Sequence, residues 1–430
     1  MSHKLNLKEF SFLVYGLGAS GISVIKYFKK KNFINYFTWD DNPKFKKKFK
    51  SKNTSNINKT FKEVDYIVLS PGISIKNSKH KKKLLKFKKK IITDIDLLYL
   101  CNPGIKSIVV TGSNGKSTTC KIIAHLLKKN GFNVELGGNI GTPVLNLKIK
   151  KNIFLVIEAS SFQLSHSKFI HPDYAILLNI TNDHVDWHGS TQAYIESKLK
   201  IFNLQKKNNF ALVNNNFKEI FNRKKYLSKL VPLKFIDYKK IKSKIKNNYL
   251  TSLTNDENMN FVFSLSKLLK ISKKSFIKSM GSFLGLPHRH EVFLKKKYIT
   301  FINDSKATSF QATKTALASS KNIYWILGGL PKKKDKINLK NLKYNIIKSY
   351  IIGKDINFFK KQLKNKVKFS VEVNLKKAVV SVLKDIRLLK KNKNTVLLSP
   401  SAASFDQFKN FEQRGNVFKK LSRLYVKKFI

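Results

Sequence analysis

Between Val109 and Thr119 the chain reads Val-Val-Thr-Gly-Ser-Asn-Gly-Lys-Ser-Thr-Thr, and these are residue types that hold a phosphate. Gly112 and Gly115 let the N–H groups of the turn, Ser113 and Asn114 included, approach anionic oxygens without Cβ interference. A helix N-terminus just beyond adds positive potential, and Lys116 adds a mobile charge. Ser117 or Thr118 can then ligate Mg²⁺. The consensus glycine ahead of the Gly-Lys pair is replaced by Val110 or Thr111, depending on the count, so this is a shortened P-loop. An ordinary glycine-rich turn would not need lysine followed by two hydroxyls. Downstream, the apolar run Phe154 to Ile157 ends in Glu158, a carboxylate where Mg²⁺ is held beside a P-loop. The apolar run Tyr174 to Ile180 ends in Thr181-Asn182-Asp183-His184-Val185-Asp186. His184 thus lies between carboxylates at the C-terminal end of a parallel strand, a place that suits a functional imidazole better than a structural one.

A second glycine turn comes earlier. Phe12 to Tyr15 reads as a buried strand, Gly16-Leu17-Gly18-Ala19-Ser20-Gly21 matches G-x-G-x-x-G, and Ile22 to Phe28 opens a helix. The strand Ile34 to Trp39 ends in Asp40-Asp41, about 20 residues after the last glycine, where an acidic side chain reaches a ribose hydroxyl. Tyr66 to Leu69 delivers Ser70-Pro71-Gly72 to the same sheet edge. A tight turn that merely packs helix on strand is the alternative reading of these glycines, and a nicotinamide dehydrogenase is disfavoured because the same chain carries a P-loop.

These loops need elements to hold them. The stretch Lys79 to Lys90 reads as a charge-rich helix with Leu84, Leu85 and Phe87 turned inward. The pattern restarts near Asn102-Pro103-Gly104, and Gly137-Gly138-Asn139-Ile140-Gly141 is a glycine loop beside the cradle. From 208 to 260 the Lys/Asn-rich sequence carries no clear element. Ile271 to Leu284 reads as a helix, with a boundary at Gly285 to Glu291. Strands at Ile299 to Asn303, Ile323 to Leu327, Tyr350 to Ile352 and Val396 to Leu398 then alternate with helices. They present two loops, Asp304 to Thr308 and Ser399 to Asp406. The fold class is α/β, with three domains that each hold a mostly parallel sheet: a Rossmann-like domain over 1–98, a P-loop domain over 99–285, and a Rossmann-like domain over 286–430.

The 430 residues carry a formal net charge of +61. Arginine occurs only at 223, 289, 387, 414 and 423, and lysine supplies the rest, whereas a nucleic-acid reader would concentrate arginine and aromatics on one face. The excess of Lys, Asn, Ile and Phe follows A/T-rich codons, so the charge reads as base-composition drift on solvated faces, with nonspecific, salt-sensitive adhesion to anionic polymers as its side effect. Two cysteines, Cys101 and Cys120, make no disulfide framework. No apolar stretch reaches about 18 residues, so a cytoplasmic protein without membrane insertion is expected.

Taken together the motifs resemble the Mur ligase family over nearly the whole chain. The carriers are Thr-Gly-Ser-Asn-Gly-Lys-Ser-Thr at 111 to 118, Gly-Gly-Asn-Ile-Gly at 137 to 141, Glu-Ala-Ser-Ser-Phe-Gln at 158 to 163 and Asn-Asp-His at 182 to 184. More specific are Gly-Leu-Pro-His-Arg at 285 to 289, Asn-Asp-Ser-Lys-Ala-Thr at 303 to 308, and Ser399 through Phe-Glu-Gln-Arg-Gly at 411 to 415. The resemblance implies ATP-driven amide formation: the carboxylate of UDP-N-acetylmuramoyl-L-alanine attacks the γ-phosphate, and D-glutamate attacks the acyl phosphate. It implies a UDP-sugar site on the first domain, ATP on the central one, and a third domain bringing ATP contacts and the amino acid. Two Mg²⁺ are implied, one on Ser117 and Glu158, the other on His184 and a carbamylated Lys198. ATP contacts fall on Gly112 to Thr118, Asn258, Arg289 and Asp304, the last at the ribose. UDP-sugar contacts fall on Ser20, Asp40, Asp41, Ser70, Gly72 and Asn139. The D-glutamate pocket falls on Lys306, Thr308, Lys332, Ser404 and the Phe411 backbone. Catalysis rests on Lys116, His184 and Lys198, in a monomer of peptidoglycan-precursor synthesis. Four positions depart from the family pattern: Trp187 and Asp41 where arginine is usual, Glu257 where histidine is, and Phe261 in place of asparagine. The alternatives are another Mur-type or folylpolyglutamate-type ligase, or a basic nucleic-acid-associated P-loop ATPase.

Overall fold

The computed structural model describes residues 6–181, 184–247, 249–332, 335–389 and 393–430, so Asn182 and Asp183 of the histidine motif lie outside the described residues. Its first sheet holds four parallel strands, β1 (Phe12–Tyr15), β2 (Tyr36–Trp39), β3 (Tyr66–Leu69) and β4 (Ile91–Ile92), in the order β2-β1-β3-β4. All four residues of β1 are buried, as a strand covered on both faces requires. Helix α1 (Ala19–Lys30) begins inside the glycine motif, three residues before the apolar periodicity announces it. A Cβ on Gly21 would stand 1.9 Å from the Gly16 carbonyl oxygen, so close helix–strand packing is one thing this motif does here. Only Lys81–Lys86 of the charge-rich stretch is α-helical; Leu84 is buried there, but Leu85 is 51 % exposed, because so short a helix presents one residue per turn to the sheet.

Helix α2 (Asp94–Cys101) follows, started by a reciprocal capping box between Thr93 and Asp96. Asp96 Oδ1 also accepts the N–H groups of Lys168 (2.9 Å) and Phe169 (2.7 Å), which fastens this helix to the second sheet. That sheet is entirely parallel: β5 (Lys106–Thr111), β6 (Asn133–Gly138), β7 (Ile153–Glu158), β8 (Tyr174–Leu177), β9 (Phe210–Val213) and β10 (Lys229–Pro232), ordered β10-β9-β8-β5-β7-β6. Helix α3 (Lys116–Lys129) leaves β5 through the P-loop and buries Ile122, Ile123, Leu126 and Leu127. Helices α4 (Ser161–His166), α5 (Thr191–Leu199), α6 (Asp256–Leu268) and α7 (Lys273–Gly281) are among those that follow. β9, β10 and the start of α6 lie in the 208–260 stretch that showed no pattern; their apolar runs are only a few residues long and lysine and asparagine surround them.

The third sheet holds β11 (Glu291–Lys296), β12 (Ile299–Asn303), β13 (Ile323–Gly328), β14 (Ile346–Ile352), β15 (Phe369–Val373) and β16 (Asn394–Leu398). Its order is β11-β12-β16-β13-β14-β15, with only β11 antiparallel to its neighbour. Alternation along β13 divides the core. Tyr324 and Ile326 pack with Val396, Leu398 and helix α8 (Leu375–Leu389), whereas Trp325 and Leu327 pack with Phe310, Phe359 and Leu397 on the other face. Helix α9 (Phe411–Phe429) closes the chain.

The first two sheets belong to one compact unit, Met1–Lys246 with Glu257–Ser282, and the third to another, Asn247–Asp256 with Phe283–Ile430. In each sheet the strand order reverses, and the loops at the C-terminal strand ends flank that point, where open α/β sheets bind ligands. Among the described residues no helix is long and apolar enough to cross a membrane.

Candidate active site

In the first unit the cradle follows from one strand position. β5 lies between β7 and β8, so its exit at Gly112 opens between Glu158 and the segment after Leu177. Gly115 has φ +83°, and a Cβ there would meet Asn258 Oδ1 at 2.3 Å; the backbone turn and the neighbour both demand glycine. Asn258 Oδ1 also accepts from Thr119 Oγ1 at 3.2 Å, which seats the α6 side chain against the start of α3. The Lys116 ammonium folds back onto the carbonyls of Gly112 and Ser113, at 2.8 Å each. Ser117 is buried in the first turn of α3, and Thr118 beside it.

Glu158 is 2 % exposed at the end of β7; its Oε1 accepts from Asn139 Nδ2 at 2.8 Å, and its Oε2 is buried with no hydrogen-bond partner among the described residues. An orphaned carboxylate oxygen beside a phosphate cradle is the chemistry a divalent cation satisfies, so the residues present fit Mg²⁺. Lys198 on α5 is 1 % exposed and donates to the Gly112 carbonyl at 2.8 Å, the same oxygen that Lys116 uses. Its Nζ lies 4.6 Å from the centroid of the Tyr194 ring. His184 enters with φ +54° and its ring stands 4.8 Å from Phe162 and 6.4 Å from Tyr194. Next to it His188 bonds Ser161 Oγ at 3.0 Å; burial, with His184 and Lys198 nearby, pulls its pKa down to about 4, so this imidazole is neutral near pH 7.

At the first sheet, Asp40 is buried and caps the glycine turn, accepting from Leu17 N (2.6 Å) and Asn42 N (2.8 Å). Asp41 is engaged by Tyr15 Oη, 2.9 Å from each carboxylate oxygen, and by Trp39 Nε1 at 3.1 Å, with His80 Nε2 at 3.9 Å. Ser70 Oγ donates to the Gly16 carbonyl at 2.7 Å, which ties the ends of β1 and β3 together; Ser20 opens α1, and Gly72 is exposed two residues beyond Ser70.

In the second unit, Asp304 follows β12, accepting from Ser399 Oγ (2.7 Å) and His290 N (3.1 Å). Burial raises its pKa to about 6, against the lowering pull of those bonds and of Arg289. The Lys306 ammonium stands 4.8 Å from the centroid of the Phe411 ring, and Ser305 Oγ donates to the Phe411 carbonyl at 2.8 Å. Ser404 is buried and Thr308 half-buried, whereas Lys332 is exposed. Sequence reasoning gave Arg414 no role, although it lies in the quoted 411–415 run. At 1 % exposure its guanidinium donates to Ser305 Oγ (3.0 Å), Ser305 O (2.8 Å), Ala402 O (3.0 Å) and Gly328 O (3.5 Å), which binds three loops into one. Asn179 and Tyr194 were also missed; Tyr194 Oη lies 2.7 Å from Ser113 Oγ. Nothing in their spacing marks them, because their role is fixed by contacts distant in sequence.

A P-loop on the central strand, a metal-competent carboxylate one strand over and three α/β sheets define a multidomain nucleotide-binding enzyme class. Residues 110–284 match the Mur ligase middle domain. Over 95 % of its length the chain is 35 % identical to 96 % of the UDP-N-acetylmuramoylalanine--D-glutamate ligase of Rickettsia felis. It is 34 % identical to the enzyme of that name from Buchnera aphidicola, over 95 % of the chain and 96 % of the relative. The chain belongs to the Mur ligase family. The same fold occurs in MurF ligase from Thermotoga maritima in complex with ADP, at TM-score 0.57 and 17 % identity, with 99 % of this chain and 97 % of that one covered. It occurs also in UDP-N-acetylmuramate-alanine ligase MurC from Thermotoga maritima, at TM-score 0.53 and 16 % identity, with 98 % and 99 % covered.

Proposed function

We propose that the chain adds D-glutamate to UDP-N-acetylmuramoyl-L-alanine with ATP hydrolysed to ADP and phosphate, in cytoplasmic peptidoglycan-precursor synthesis and as a monomer. The observation that carries the reading is 34–35 % identity over 95 % of the chain to ligases of that one name, joined to a cradle, a buried carboxylate and a buried lysine around Gly112. The proposed division of labour is a UDP-sugar domain over 1–98, an ATP domain over 99–285, and a domain over 286–430 for D-glutamate and further ATP contacts.

A carboxylate oxygen of the muramoyl-alanine forms a bond to the γ-phosphorus as ADP leaves. The D-glutamate nitrogen then bonds the acyl carbon, loses a proton, and inorganic phosphate departs. Anions meet in both steps, so the residues act mainly by placing and neutralising charge. Lys116 would exchange its two carbonyl contacts for phosphate oxygens, and Arg289 and Lys306 would supply further positive charge. Ser117 and Glu158 would hold one Mg²⁺, and His184 with carbamylated Lys198 a second; the ions would neutralise phosphate charge. The burial of Lys198 beside the cradle supports the carbamate, since a carbamate suits a divalent cation there and a bare ammonium does not.

The deciding assay offers D-glutamate, L-glutamate, L-alanine and diaminopimelate separately, with the UDP-sugar and ATP, and follows ADP. Release is expected with D-glutamate alone. Release with another amino acid instead would reassign the substrate.

A further inference from the structure

Glu257 opens the first turn of α6 with both carboxylate oxygens engaged. Its Oε2 accepts from Asn179 Nδ2 at 2.7 Å and its Oε1 from Asn214 Nδ2 at 3.2 Å. Asn179 in turn grips the cradle at two consecutive residues. Its Oδ1 accepts the N–H of Asn114 at 2.9 Å, its Nδ2 leans on the Asn114 carbonyl at 3.3 Å, and its own carbonyl accepts the N–H of Ser113 at 2.9 Å.

A side-chain amide has two ends of nearly equal shape, and only its partners decide which end lies where. An ionised carboxylate accepts and never donates. Glu257 therefore permits one orientation of Asn179, with nitrogen toward the carboxylate and oxygen left for the Asn114 N–H. A neutral imidazole can present either a donor or an acceptor and would impose no such choice. With the amide fixed, Ser113 and Asn114 of the turn are held in place.

We propose that Glu257 is a positioning residue for nucleotide binding, acting through Asn179 to keep the 113–115 turn in its phosphate-binding shape before nucleotide arrives. This rests on the reading of the cradle as the ATP site. Preorganisation of a loop appears as affinity, since a loop already ordered loses less freedom on binding. Glu257 meets Asn179 and Asn214, so its loss should be felt in binding more than in turnover.

The test titrates a fluorescent ADP analogue into the full chain and pairs each Kd with a thermal melt. Glu257→Ala is expected to raise Kd about tenfold, while kcat at saturating ATP falls less than about threefold. Glu257→Gln can still turn its amide oxygen toward Asn179 but no longer forbids the other orientation, so it should fall between the alanine variant and the unsubstituted chain. Glu257→Asp keeps the charge but shortens the reach, and should resemble the alanine variant. Because the effect passes through Asn179, Asn179→Ala with Glu257→Ala should bind no more weakly than Asn179→Ala alone. If the alanine variant does not melt cooperatively, the Gln and Asp variants decide between charge and geometry. Losses that multiply in the double variant, or a folded Asp variant that binds as the unsubstituted chain does while the Gln variant binds as weakly as the alanine one, overturn the proposal. Unchanged affinity in a folded Glu257→Ala overturns it while leaving the ATP site standing. No nucleotide binding by the unsubstituted chain overturns the ATP reading itself.

Discussion

Lys198 is one lysine among dozens by type, and its burial against Gly112 separates it from the other described lysines. Lys198→Ala is expected to lose nearly all ligase activity, and small carboxylates such as acetate, entering the vacated space, to restore part of it. Lys198→Arg should gain nothing from acetate, since its bulk and permanent charge fill the place. Full activity in the alanine variant, or equal rescue of both, would return Lys198 to the ordinary lysines. Asp304 makes a different kind of statement. Its pKa of about 6 lies above the ordinary 3.8, so between these values the folded state holds more protons than the unfolded one. Stability from this group is therefore fully present below 3.8 and lost as pH rises through about 6, at a cost on the order of 3 kcal/mol. Asp304→Asn removes the charge without changing the shape. It should raise Tm at pH 7 by several degrees and by much less near pH 4.5, while weakening ATP binding. An equal rise at both pH values would show that the buried charge is not the cause.

At the scale of elements, most of the fold was legible where apolar runs end in chemistry-bearing loops. Residues 12–15, 66–69 and 299–303 fold as strands with the expected ends, because an apolar run flanked by glycine or charge has one plausible register. The exits of β5, β7 and β12 were legible for the same reason, and with them Gly112, Glu158 and Asp304. What stayed hidden has a common cause. β10 and the start of α6 carry few apolar residues, the short apolar run of β9 lies between lysine- and asparagine-rich stretches, and Asn179, Glu257 and Arg414 work by contacts made across the fold. Gly21 stands between these cases, since its motif was visible but its purpose was open. Its Cα faces the Gly16 carbonyl at a distance no methyl can enter, so Gly21→Ala should cost about 1–3 kcal/mol, seen in a urea melt, and raise KM for the UDP-sugar. An unaffected melt would mean that α1 shifts freely on its sheet.

The whole molecule carries a formal net charge of +61 on 430 residues, 86 Lys and Arg against 25 Asp and Glu. Self-repulsion at that density opposes the compact state and is screened by salt over about 10 Å at 0.1 M. Tm should therefore rise between about 20 and 300 mM NaCl, and adhesion to anionic vesicles should fade over the same range; a flat or falling Tm would mean that ion pairing already balances the surface. The three crevices, by contrast, are framed locally: Ser70 on Gly16, Asn139 on Glu158 and Ser399 on Asp304 each tie neighbouring strand exits of a single sheet. Inheritance can act on such a frame piece by piece. None of these three bonds shares a residue with another, so a substitution at one leaves the partners of the other two in place, and preference for one substrate can drift across lineages while the grip on its companions stays as it was.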